Sequence, residues 1–318
     1  MKNMMERNRL LIVAPDSRRY AALIKEFDFS DLELIVCNSI EKAKNRAKHC
    51  NMILGEPTRI VPILKHAKRL QWIQSTFAGV EALLGPGKRT DYVLTGVKGV
   101  FGPLMSEYVF TYILAIERNL LESHENQQRR VWKKIGYKSL RDRLIGICGL
   151  GSVGLSVAQT ARHFGMKVWG YKRSYEKVPG IDRIFTRSDF KKFLSHPDYI
   201  VITLPSTPDT LHLIDYDTLR AMKKSAVLIN IGRGSVVSEN ALVQVLEEER
   251  ILGAVLDVFE EEPLPDNSRL WALPNVMITP HNSGLSFPED IVAIFAENYR
   301  RFVDKKPLKY RVDFNRGY

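Results

Sequence analysis

Short apolar runs, each followed by a stretch with helical spacing, recur along this chain and constrain its fold more than any other feature. RLLIVAP from Arg9, LELIVC from Leu32, NMILG from Asn51, LQWIQST from Leu70 and YVLTG from Tyr92 form one series. RLIGIC from Arg143, KVWGY from Lys167, DYIVITLP from Asp198, AVLINIG from Ala226, ILGAVLDVF from Ile251 and VMITP from Val276 form a second. Continuous apolar runs fit strands buried on both faces, as in parallel sheets covered by helices above and below. Helical spacing at Ser17–Phe27 and Ser39–Lys48, each opened by a capping-type serine, and at Val153–Phe164 and Glu239–Glu249, supplies covering helices. A longer helical stretch from about Pro103 to Arg130 reads as a connector between domains, and PEDIVAIFAENYRRFVDKK predicts a last helix that could pack on either one. With 318 residues, more than one core accommodates comfortably, the chain is expected to be α/β, with two doubly wound parallel-sheet domains.

The formal net charge of +11 favours anionic partners: phosphorylated cofactors, carboxylates or nucleic acid. No nucleic-acid reading module accompanies it, so no nucleic-acid partner is expected. The basic run from Arg129 to Arg143 reads as a solvated face plus loop. Cys37, Cys50 and Cys148 lack disulfide or zinc-ligand spacing, which predicts no metal and a reducing, cytoplasmic location. No window reaches the roughly 18 apolar residues of a membrane span, and the N-terminus lacks a signal-peptide core.

Gly149, Gly151 and Gly154 follow an apolar run and open a helical one, with Ser152 and Val153 between the last two. In that context a Gly-x-Gly-x-x-Gly serves a dinucleotide: the first glycine makes the turn, the second admits the pyrophosphate, and the third lets helix and strand close together. The helix N-terminus adds free N–H groups for the anion. Where a carboxylate would hold an unmodified ribose, Lys172, Arg173 and Ser174 stand instead, which predicts NADP with NAD possible.

Three segments, INIGRGSVV, LDVFEEEPLP and ITPHNSG, each place polar residues just beyond a buried strand. Together with GLGSVG and LPSTPDT, in this order, they resemble the D-isomer-specific 2-hydroxyacid dehydrogenases, particularly the glyoxylate/hydroxypyruvate reductase-like branch. The resemblance implies a flavodoxin-like substrate domain over residues 1–100, with 285–318 returning to it, and a Rossmann cofactor domain over 101–284. It also implies an active site in the cleft, a homodimer, and a small 2-keto or 2-hydroxy acid as substrate. Arg233 can fork onto the acid's carboxylate and carbonyl oxygen, a geometry lysine cannot reproduce. His281 is the candidate acid, since histidine exchanges protons close to neutrality. Among three successive glutamates the family pattern selects Glu262, which precedes the proline, as the partner of His281.

By the same resemblance Asp257 would hold the nicotinamide carboxamide, while Leu204, Pro205, Ile231 and Gly232 would meet the cofactor mainly through backbone. QSTFAGVEALL resembles the family's substrate-carboxylate loop, in which the N–H groups of Ala78 and Gly79 would face the acid, aided by a following helix. Phe77 could narrow that pocket. Trp72, Trp132, Met105 and Tyr108 read as packing residues. The alternatives are an NAD-dependent dehydrogenase of a larger substrate and a cofactor-sensing, corepressor-like binding protein.

Overall fold

The computed structural model describes residues 7–314. They divide into two compact units, residues up to 100 with 286 onward, and 101–285. In the first unit, β1 (Asn8–Val13), α1 (Ser17–Lys25), β2 (Leu32–Val36), α2 (Ile40–Ala47), β3 (Met52–Gly55), the short α3 (Pro57–Ile60), β4 (Trp72–Ser75) and β5 (Val93–Thr95) follow in order. The strands form a sheet in the order β2-β1-β3-β4-β5, parallel throughout.

The second unit holds α4 (Phe101–Glu117), α5 (Leu120–Gln128), β6 (Leu144–Cys148), α6 (Ser152–His163), β7 (Lys167–Tyr171), β8 (Arg183–Phe185), α7 (Phe190–Leu194) and β9 (Tyr199–Ile202). α8 (Tyr216–Leu219), β10 (Val227–Asn230), α9 (Glu239–Glu247), β11 (Gly253–Leu256) and β12 (Val276–Ile278) complete it. Its parallel sheet runs β12-β11-β10-β9-β6-β7-β8. β9 and β10 are buried along their whole length, as continuous apolar runs require of central strands.

The last helix, α10 (Pro288–Val303), belongs to the first unit. There Trp72 stacks on its Phe295 at 5.3 Å and donates its indole N–H to Thr95.

Several expectations are corrected. Ser17 lies inside α1, and Asp16 takes the cap position without a side-chain cap bond, whereas Ser39 does cap α2. The long helical stretch breaks in two at Asn119, whose left-handed φ of 50° turns the chain between α4 and α5. Trp132 is not packed: it is 99% exposed. The basic run is solvated over most of its length, but its end, Arg143, pairs with Glu117 at 2.9 Å and Asp198 at 3.3 Å. The three cysteines are buried free thiols, and burial pushes Cys50 up to about 12. Among the described residues no helix is long and apolar enough to cross a membrane, and no cluster of three His, Cys, Asp or Glu could hold a metal.

Candidate active site

In the second unit the chain runs outward from β6 through β7 to β8 on one side, and from β9 through β10 and β11 to β12 on the other. The β6/β9 boundary is thus a topological switch point, and open α/β sheets bind ligands beyond the carboxyl ends of strands there. The sequence candidates of this unit follow those ends. Gly149 comes after β6, Lys172 after β7, Leu204 after β9, Arg233 after β10, Glu262 after β11 and His281 after β12.

The glycine turn has the geometry that a dinucleotide needs. Gly149 adopts φ 105°, a conformation rare for residues with a Cβ. A Cβ on Gly154 would lie 2.0 Å from the Gly149 carbonyl oxygen, so only glycine lets α6 close on β6. A Cβ on Gly151 would meet nothing within 4 Å, and Gly151 caps α6 without a side-chain bond. That opening, at the N-terminus of a twelve-residue helix, fits a pyrophosphate. Ser152 and Val153 are half-buried in the helix's first turn. Thr203 fixes the turn from β9, donating its hydroxyl to Gly149 O at 2.7 Å.

Beyond β7, Lys172 bonds Glu176 at 2.5 Å, and this bond and the ammonium charge hold that carboxyl below its usual range. Arg173 and Ser174 are exposed. Leu204 is half-buried and Pro205 exposed, whereas Ile231 and Gly232 are buried. A Cβ on Gly232 would sit 2.8 Å from Leu204 O, so the two segments meet through backbone.

Arg233 is carried on a stapled turn. The buried Asn230 amide donates to Arg233 O at 3.1 Å and its carbonyl accepts from Gly232 N at 3.1 Å. The guanidinium donates to Gly232 O at 2.7 Å. Gly234 then passes so close to the next loop that a Cβ would fall 1.9 Å from the Phe259 carbonyl carbon.

That next loop presents Glu262, whose Oε1 accepts from Phe259 N at 3.0 Å while Oε2 meets His281 Nδ1 at 2.7 Å. Its neighbour Glu260 is engaged elsewhere, accepting from Glu239 N at 2.8 Å and lying 3.2 Å from His212 Nε2. Glu262 is thus joined to His281, while Glu260 serves other partners.

Asp257 directly follows β11. It is fully buried, and its oxygens accept from Thr279 Oγ1 at 2.5 Å, Asn282 N at 2.8 Å and Ser283 N at 2.9 Å. Its side chain thus accepts from the loop that follows His281.

In the first unit, the loop after β4 turns on Ser75, whose Oγ accepts from Phe77 N at 2.9 Å and donates to Phe77 O at 2.8 Å. Phe77 and Ala78 are exposed and Gly79 is half-buried. The helix expected next is only a 3₁₀ turn over Glu81–Leu83, too short for a substantial dipole.

A family profile for the NAD binding domain of D-isomer specific 2-hydroxyacid dehydrogenases matches residues 110–283, more than half of the chain. The chain belongs to the D-isomer-specific 2-hydroxyacid dehydrogenase family. A solved family protein from Aeromonas salmonicida subsp. salmonicida A449 is 41% identical, with a TM-score of 0.94 over 97% of this chain and 99% of that one. An NADPH-dependent glyoxylate/hydroxypyruvate reductase from Sinorhizobium meliloti, solved with NADP and sulfate, is 26% identical with a TM-score of 0.86, covering 98% of this chain and 100% of that one. Among curated relatives, the glyoxylate reductase of Pyrococcus horikoshii is 36% identical over 68% of this chain and 67% of its own length. That of Korarchaeum cryptofilum is 34% identical over 63% of this chain, and the match spans 61% of that reductase.

In this dehydrogenase-family chain the sequence reading overlooked the groups that hold the functional side chains. Asn230, Thr203 and Gly234 are in motifs already singled out, and a polar residue or glycine directly at a buried strand's end was the available signal. Tyr108 gave none: it lies on α4, yet its hydroxyl reaches Thr279 Oγ1 at 2.6 Å, and burial pushes that hydroxyl well above its ordinary pKa.

Proposed function

We propose that the protein reduces a small 2-keto acid, of the glyoxylate or hydroxypyruvate type, with NADPH, giving the D-2-hydroxy acid. The reading is carried by the His281–Glu262 pair, joined at 2.7 Å on the strand-end edge that also bears the glycine turn and Arg233. Gly149, Gly151, Ser152, Val153 and Gly154 hold the pyrophosphate, and Lys172, Arg173 and Ser174 receive the ribose 2′-phosphate. For that, Lys172 exchanges its Glu176 partner for the phosphate. Leu204, Pro205, Ile231 and Gly232 line the nucleotide through backbone. When bound, the reduced nicotinamide supplies the hydride.

Arg233 holds the substrate carboxylate and polarises the carbonyl through its planar fork. The N–H groups of Ala78 and Gly79 give the carboxylate further donors, which makes residues 1–100 and 286–318 the substrate domain. Glu262 holds the imidazole by Nδ1, leaving Nε2 to deliver a proton to the oxygen as negative charge grows there. Carbon gains the hydride and oxygen the proton, so the product is the neutral alcohol of the same acid.

Assembly as a homodimer is part of this reading. It is supported by exposed apolar side chains clustered between residues 120 and 137: Leu120, Leu121, Val131, Trp132 and Tyr137. The free cysteines favour the cytoplasm. Following NADPH and NADH oxidation by the purified protein across a panel of 2-keto acids tests the central claim. Turnover of glyoxylate or hydroxypyruvate with NADPH preferred is expected. Tight NADPH binding without turnover on any acid would overturn it in favour of a cofactor sensor.

A further inference from the structure

We infer that Tyr108, Thr279 and Asp257 form a positioning relay that holds the backbone bearing His281. The inference rests on the reading of His281 as the proton donor. His281 sits at φ 50°, a left-handed conformation that a residue with a side chain keeps only when its surroundings impose it. Those surroundings are explicit. His281 N donates to Asp257 O at 2.9 Å and to Thr279 O at 3.1 Å. The next two amides, Asn282 and Ser283, donate to separate oxygens of the Asp257 carboxylate at 2.8 and 2.9 Å. One buried carboxylate therefore ties down the two residues that follow the histidine.

The rest of the relay follows from donor and acceptor chemistry. Thr279 Oγ1 donates to Asp257 Oδ1 at 2.5 Å, and a hydroxyl has only one proton to give. Tyr108 must then be the donor across the 2.6 Å contact with Thr279. Tyr108 is itself fixed by α4, whose Ser106 hydroxyl bonds Ser156 of α6 at 3.0 Å. Gly102 of α4 sits so close to Ser156 that a Cβ would approach it to 2.9 Å. The helix that opens at the glycine turn and the loop that carries His281 are thus braced by one element. Glu262 orients the ring, and the relay orients the backbone beneath it.

Thr279→Val keeps the shape and removes the hydroxyl, and Thr279→Ser restores it. Purified, folded T279V is expected to lose about ten- to a hundredfold in kcat, the cost of a slightly misplaced proton donor. KM for the keto acid and the Kd for NADPH should move less than about threefold, the split expected of a group that touches neither ligand. T279S should recover most of the loss, and Tyr108→Phe should fall between them. Independently of activity, amide hydrogen exchange at Asn282 and Ser283 should accelerate in T279V and D257N. Unchanged exchange there would overturn the relay. A loss of NADPH affinity as large as the loss of kcat would overturn it in favour of direct cofactor contact. Accelerated exchange in a protein whose wild type reduces no 2-keto acid would uphold the relay and sink only the proposed reaction.

Discussion

Both sheets present a turn that could meet an anion, but the two turns are built differently. After β6, a left-handed glycine leads into a helix of twelve residues, with Gly154 pressed against Gly149. After β4, Ser75 folds the chain back on itself, and only a 3₁₀ turn of three residues follows. The first site has helix-terminal N–H groups and a dipole behind them; the second has only local backbone donors. His281, the proposed proton donor, and Arg233 belong to the same unit as the first turn. Residues 101–285 should therefore hold most of the binding and chemical energy, and the β4 turn should act mainly on substrate affinity.

The largest effect tests where the chemistry resides. His281→Ala removes the proposed proton donor, and kcat with glyoxylate should fall by about a thousandfold, within the range for loss of a general acid. The Kd for NADPH, read by fluorescence titration, should stay within a few-fold. Glu262→Gln keeps the shape but weakens the grip on Nδ1 and should cost less. A thousandfold loss from a change in the β4 turn would break the comparison.

The next test separates two glycines that look alike in the sequence. Gly154→Ala would place a Cβ 2.0 Å from the Gly149 carbonyl, so helix and strand must part. A stability loss of about 3 kcal/mol by chemical denaturation is expected, as for severe overpacking. NADPH binding should weaken with it. Gly151→Ala meets nothing within 4 Å, so the fold should keep its denaturation midpoint while NADPH binds less tightly. Equal destabilisation by both would mean that Gly151 is not the residue facing the pyrophosphate.

The asymmetry also explains what the sequence disclosed. Central strands were legible because burial on both faces demands unbroken apolar runs, and the glycine turn because its spacing is a steric requirement. The edge strand β8, Arg183–Phe185, escaped notice because it is three residues long and begins with an exposed arginine. Asn119 breaks the long helical stretch through a backbone angle that its neighbours' hydrophobicity does not encode. Trp132 looked like core by residue type alone. The bonds of Asp257 to the His281 loop were not legible, because the donors that reach its oxygens lie 22 to 26 residues away. Tyr108, 171 residues from Thr279, could not be connected to it without the fold.

A smaller effect concerns the cations after β7. Replacing Lys172 and Arg173 together by Ala should raise KM for NADPH by about tenfold or more, as charge-assisted contacts are lost, and leave KM for NADH nearly unchanged. Kinetics with both cofactors measure the ratio. A parallel rise for both would mean that these side chains serve the turn and not the 2′-phosphate.

The smallest expected effect falls on the β4 turn. Ala78→Pro removes one backbone N–H while leaving the exposed side-chain surface nearly as it was. If that N–H faces the substrate carboxylate, KM for glyoxylate should rise by about three- to tenfold, the worth of one hydrogen bond to a charged group. The effect should stay modest because the proposed Arg233 contact to the acid remains and no long helix stands behind the turn to amplify the loss. kcat and the Kd for NADPH should hold, and Ala78→Gly, which keeps the N–H, should behave like the wild type. If Ala78→Gly raised KM as much as Ala78→Pro, the shape of the loop, and not its donor, would be what the substrate senses.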